Sequence, residues 1–261
     1  MCEAFSGLVD FNDKVTWKLG VDSHSDLAKL GGYSDTQLGE FSKFEITPKN
    51  GDYLNPDEWV FRWDEKVLPN WCGTKQKEFA LAAHKKWLKQ LEKFINRHPV
   101  VHPFKLPPPS IERKHILLLK KWDSVGASVG DSVGASVWDS VGASVGVSVG
   151  GSVGDSVAGS VGASVWDSVW GSVGDSVGAS VWASVWDSVW ASVWAYTGSF
   201  FKIPVWQYVK HPKGKYPFQS AITLWNQGLV PSFDGTTWRL HGGPKAAILF
   251  SLSKEDLEKY K

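Results

Sequence analysis

From Val125 to Val193 a valine stands at every fourth position, and each is preceded by a serine. The full pattern is [Gly/Trp]-x-Ser-Val. It starts at Trp122 and runs through eighteen tetrads, with only Ala158 departing at the first position. The second position is Asp, Ala, Gly or, once, Val147. Repetition at a fixed period is the signature of a stacked architecture. Glycine and β-branched valine at nearly half of all positions disfavour a helix. A four-residue period against 3.6 residues per turn would also rotate the valine stripe around the helix axis. Valine suits strands, and glycine suits the corners of a coil. The pattern therefore predicts a β-solenoid in which each tetrad is one short side and valine points inward. Written at a width of 16, Trp122, Trp138, Trp170 and Trp186 share a column, as do Asp123, Asp139, Asp155 and Asp187. That predicts four tetrads, 16 residues, per coil.

The flanks read differently. "GLVDFNDKVTWKLGV" predicts two strands about an Asn-Asp turn, and "SHSDLAKL" a short helix capped by Ser23 or Ser25. "KFEITPKNGDYLNPDEWVFRWDE" predicts strand, Asn50-Gly51 turn, strand. Phe79, Ala83, Trp87, Leu91 and Ile95 recur at helical spacing and predict an amphipathic helix from Thr74 to Asn96. Five prolines between 99 and 113 mark a stiff connector. "HILLLKKW" then leads into the repeat. After it, the pattern predicts a strand at Val205–Val209, a basic loop, a helix near Gln219–Gln227, a hairpin made by "TTWRLH" and "AAILFSL", and a last helix. The expected fold class is mainly β with α+β flanks, the solenoid being capped at both ends. The expected domains are 1–98 (α+β), 99–113 (Pro-rich linker), 114–201 (repeat with end caps) and 202–261 (small α+β).

Composition adds a hidden asymmetry. The net charge is +1, yet residues 122–197 hold seven Asp and no Lys, Arg or Glu. The simplest role for those carboxylates is to keep a Val-rich repeat soluble. There is no long apolar run for a membrane span, and no basic-then-apolar leader is evident. Two cysteines cannot form a disulfide framework, which suits a reducing cytoplasm.

Candidate chemistry is sparse. Asp22, His24 and Asp26 lie at alternate positions and have the composition of an acid–base or metal cluster, though caps and hydrogen-bond partners are their commoner use. His98 and His102 have ligand-like spacing without cysteine partners, so no metal site is expected, and no cofactor motif is present. Lys210, Lys213 and Lys215, with His211, form a basic loop beside Tyr208 and Tyr216 and offer contacts to phosphates. Trp238, Arg239 and His241 on the hairpin are candidate lining for a small-molecule or protein contact.

The segments "MCEAFS", "GVDSHSD", "EITPKNGDYL" and "YPFQSAITLWNQGLVPSFDGTTWRLHGG" resemble a group of phage and bacterial proteins in which similar termini bracket an SVWDSV-like middle. The resemblance covers nearly the whole chain and implies a microbial or viral origin, with a host cytoplasm if phage-encoded, but no activity. By analogy the repeat also resembles the pentapeptide repeats of square β-helices, with one residue fewer per unit. The Met-Cys start resembles the N-terminal-nucleophile hydrolases, which would make Cys2 the nucleophile, with its own amine as base. However, Glu3 stands where the amidotransferase pattern has Gly. The expected function is a structural or macromolecule-binding protein with a protein partner or self-association. The alternatives are a hydrolase using Cys2 and an acidic solenoid that mimics DNA. Nucleic acid is not an expected partner, because solvation is the simpler role for the basic loop, and no membrane partner is expected.

Overall fold

A computed structural model describes residues 5–21, 23–34, 37, 39–49, 55–137, 159, 161–173 and 182–261. They fall into two compact units, the first within Met1–His98 and the second within Pro99–Ser140 and Val153–Lys261.

The first unit is a four-stranded antiparallel sheet of order β2-β1-β3-β4, built from β1 (Phe5–Asp10), β2 (Val15–Thr16), β3 (Phe41–Thr47) and β4 (Val60–Trp63). The strands about the Asn-Asp turn and the helix after Ser23 form as the pattern predicts. The Asn50-Gly51 turn, Cys2 and Asp22 lie outside the described residues. Alternation divides β1 between two cores. Phe5 joins Phe44 and Ile46 beneath α2 (Thr74–Leu91), whose Ala80, Ala83, Trp87 and Leu91 complete that layer. Leu8 faces the other way, onto Leu27 and Ala28 of α1 (His24–Gly31) and onto Phe41. Gly7 makes the first layer possible. A Cβ there would lie 2.3 Å from Phe44 Cζ, so the Phe44 ring fills the space that a side chain would need.

In the second unit the described part of the repeat is helical. α3 (Arg113–Asp123) leads into it, and a helical run follows over residues 129–137 (α4). α5 (Ala163–Val173) and α6 (Trp182–Gly198) are built from later tetrads. A three-stranded antiparallel sheet, β5 (Leu229–Phe233), β6 (Thr237–Gly242) and β7 (Ala247–Ser253), stands against them with α7 (Gln219–Trp225) and α8 (Lys254–Lys259). This overturns the expected β-solenoid: the described repeat residues form helices, the fold is α+β, and its strands make two small antiparallel sheets. The columns that predicted a 16-residue coil include Trp138, Asp139 and Asp155, which lie outside the described residues.

Two features let the repeat become helix. In α5 and α6 the first position is Trp rather than Gly, with Gly171, at a second position, inside α5 and Gly198 ending α6. This removes most of the propensity cost, which for each Gly is about 1 kcal/mol relative to Ala. The rotation of the stripe is also limited by helix length. Each tetrad advances by roughly 40° beyond a full turn, so Val185, Val189 and Val193 spread over about 80°, within the width of one apolar face. Tyr196, three residues after Val193, then turns the face back. Val165, Val169, Val185, Val189 and Val193 are fully buried, whereas Asp131, Asp167 and Asp187 are exposed. The valines thus point inward as the pattern predicts, but from helices.

The serines are accommodated by back-bonding, a familiar outlet for hydroxyls within helices. Ser168 Oγ donates to Ser164 O at 2.8 Å, Ser172 to Val169 O at 2.8 Å and Ser188 to Val185 O at 2.9 Å. Ser188 also ties helix to sheet, accepting from Phe233 N at 2.8 Å. The Pro-rich segment packs into the same unit: Val101 N donates to Tyr196 Oη at 2.8 Å and Trp225 Nε1 to Val101 O at 2.8 Å. Tyr196 and Trp225 stack at 4.9 Å.

Candidate functional site

His24 begins α1, with Ser23 as its N-cap, and among the described residues its carboxylate partner is not Asp26. Its Nδ1 lies 3.4 Å from Asp64 Oδ2, just beyond β4, and its Nε2 lies 3.3 Å from Phe44 O. Asp26 instead sits in the first turn of α1 and pairs with exposed Lys29. Both ring nitrogens of His24 thus face acceptors supplied by the fold. Among the described residues no three His, Cys, Asp or Glu side chains gather to hold a metal. His102 is used locally: Nδ1 accepts from Phe104 N at 3.2 Å and Nε2 meets Ser164 Oγ at 3.1 Å. His84 is buried among Phe5, Trp59 and Trp87, and desolvation drives its pKa down to about 4. Cys72 is also buried, and desolvation pushes its thiol up.

The hairpin residues are part of the core. Trp238 is buried, stacks on Phe233 at 4.8 Å and donates from Nε1 to Asp123 Oδ1 at 3.0 Å. Arg239 pairs with Asp234 at 2.6 Å. Burial opposes ionisation of Asp234, but the N–H groups of Thr237 and Thr236 together with Arg239 bring its pKa down to about 2. His241 is fully buried. Its Nε2 faces Ser232 Oγ at 2.7 Å, and its Nδ1 lies 2.9 Å from Ala246 O and 3.1 Å from Ser172 Oγ. The Ser172 hydroxyl already donates to Val169 O. Nδ1–H therefore donates towards Ala246 and Ser172, and Nε2 accepts from Ser232. Nucleophile, base and orienter are all in place, but Ser232 and His241 are both 0% exposed, so no substrate reaches them. Desolvation holds the imidazole neutral, with a pKa of about 4. The network joins β5, β6, the turn before β7 and helix α5. It was not foreseen, because nothing in the spacing of Ser172, Ser232 and His241 links them.

The basic loop is the remaining candidate. The expected strand at Val205–Val209 does not form; the segment is irregular. It lies between Pro204 and Pro212, and Gly214 N donates back to Pro204 O at 2.9 Å, closing the loop. His211 staples it from within: Nε2 accepts from Trp206 N at 2.8 Å and Nδ1 donates to Pro212 O at 2.9 Å. Trp206 is its buried root, edge-on to Tyr216 at 5.0 Å. Buried Ser136, from a tetrad of the repeat, accepts Gln207 N at 2.8 Å.

Fixed in this way, the loop holds Tyr208 at φ 60°, a conformation that disfavours a bulky side chain. Tyr208 is nevertheless 70% exposed. Lys210, Lys213 and Lys215 are exposed beside it in sequence, and no ion pair involves them among the described residues. From Ser188 to Phe233 the chain contains no Asp or Glu. The lysines were visible in the sequence. The pose of Tyr208 and the role of Ser136 were not, although an aromatic within an acid-free lysine run is a signal worth following.

Comparison with protein-family models, with curated proteins and with solved structures gives no match.

Proposed function

We propose that this is a non-catalytic binding protein. Its tetrapeptide repeat is internal scaffold, and the 204–215 loop of its second unit is the contact surface for an anionic macromolecule. The carrying observation is Tyr208, whose backbone stands at φ 60° in a residue that is 70% exposed. Strained backbone persists only where its surroundings hold it, and such positions cluster at functional sites. A merely solvated loop has no need to hold a large aromatic ring in water beside three lysines. The repeat supports this reading from beneath: Val129, Val133, Val165, Val169, Val185, Val189 and Val193 lie in the core, and Ser136 anchors the loop. The Ser232–His241 pair does not favour an enzyme, being sealed from solvent. The DNA-mimic alternative was argued from an acidic β-rod, and the helices replace that rod.

Among the described residues no helix is long and apolar enough to cross a membrane. Free, buried Cys72 fits the proposed work in a reducing cytoplasm.

The test uses heparin as a generic polyanion. The intact protein should be retained on immobilised heparin and eluted by salt. The triple variant Lys210→Ala, Lys213→Ala, Lys215→Ala, with an unchanged circular dichroism spectrum, should elute at clearly lower salt. Elution of both at the same salt would remove the loop as the contact surface.

A further inference from the structure

We infer that the 204–215 loop takes single-stranded nucleic acid, with Tyr208 as a stacking platform for one base and Lys210, Lys213 and Lys215 on the phosphates that flank it. This rests on the reading of the loop as a polyanion contact and names the partner.

The loop backbone is rigid. The loop is closed by the Gly214–Pro204 hydrogen bond, stapled by His211, rooted in buried Trp206 and anchored by Ser136. A loop backbone held by so many constraints presents Tyr208 to a ligand without a large cost of ordering the loop. Stacking on a base is what an exposed, pre-positioned aromatic ring does well, and it tolerates any sequence because every base has a π-face.

The charge pattern agrees. Lysines at 210, 213 and 215 within an acid-free run supply sequence-independent affinity for a phosphate backbone. The chain's net charge of +1 hides this local excess, because the repeat carries the balancing carboxylates. A single strand is favoured over a duplex, since duplex bases are already stacked on one another and offer Tyr208 no free face. It is favoured over a lipid surface because interfacial binding scales with inserted apolar area. Here the exposed large apolar side chains of the loop are only Val205 and Tyr208.

The test is fluorescence anisotropy with a fluorescein-labelled fifteen-nucleotide oligothymidine and the full-length protein. Binding should weaken with salt, with a slope of roughly 2 in log Kd against log salt for three phosphate contacts. Tyr208→Ala should weaken binding by about tenfold and leave that slope unchanged. Tyr208→Phe should bind as well as the parent. The triple lysine variant should flatten the slope. The same sequence as a duplex should bind more weakly than the single strand.

Absence of oligothymidine binding, equal affinity for duplex and single strand, or indifference to Tyr208→Ala would each overturn the assignment. If the triple lysine variant still shifted heparin elution, the polyanion surface would survive and only its partner would be wrong. Tyr208-dependent binding to phosphatidylserine vesicles, with none to oligothymidine, would also overturn it.

Discussion

The Ser232 hydroxyl lies 2.7 Å from His241 Nε2, and neither side chain is exposed at all. With Nδ1 donating to Ala246 O at 2.9 Å, both nitrogens of the neutral ring are satisfied. A proton added to Nε2 would break its bond from Ser232 and place a charge in a dry core. The pKa of His241 is accordingly lowered to about 4 by desolvation, against about 6.5 in an unfolded chain. Between those values the unfolded state binds a proton that the native state does not, so stability rises with pH across the window. The contribution is fully present above about pH 6.5, is lost as pH falls to about 4, and amounts to the order of 3 kcal/mol. His84 adds a second contribution of the same sign in the first unit. Denaturant melts of His241→Asn should be destabilised at pH 7 and show a shallower pH slope between 4 and 6.5 than the parent. An unchanged slope would mean that His241 is not a buried neutral base.

Val189 and Asp187 belong to one tetrad, with opposite fates. Val189 is fully buried and Asp187 is exposed. Val189→Ala should cost about 2 kcal/mol, from lost burial and the cavity left behind. Asp187→Ala should stay within about 0.5 kcal/mol of the parent, as surface substitutions usually do. Urea melts of the two variants decide it, and a more damaging Asp187→Ala would place the wrong face of α6 in the core.

The first unit was largely legible because its signals are local. Alternation about the Asn-Asp turn gives β1 and β2, Ser23 caps α1, and the Phe79-to-Leu91 spacing gives α2. Its site was less so: His24 finds Asp64, forty residues on, rather than Asp26. The second unit misled for a physical reason. A four-residue period is close enough to 3.6 to serve a helix of a few turns, and short elements hide the rotation that would rule it out in a long one. Glycine content averaged over the whole repeat overstated the cost, because the described helices α5 and α6 are built mostly from tetrads in which Trp replaces Gly. β5 escaped notice because Pro231 interrupts "LVPSF". It is tolerated because β5 is an edge strand. The Val205–Val209 segment has the composition of a strand, but Pro204 and Pro212 bracket it and Tyr208 breaks the extended backbone.

The account stands on the repeat being a helical scaffold that buries its valines and supports the loop. The most direct test is to assign the backbone by NMR and read the Cα secondary shifts of residues 163–173 and 182–198 in the intact protein. Consistently positive shifts, with slow amide exchange at Val189 and Val193, are predicted. Consistently negative shifts over both segments would restore a β-structured repeat and contradict the account.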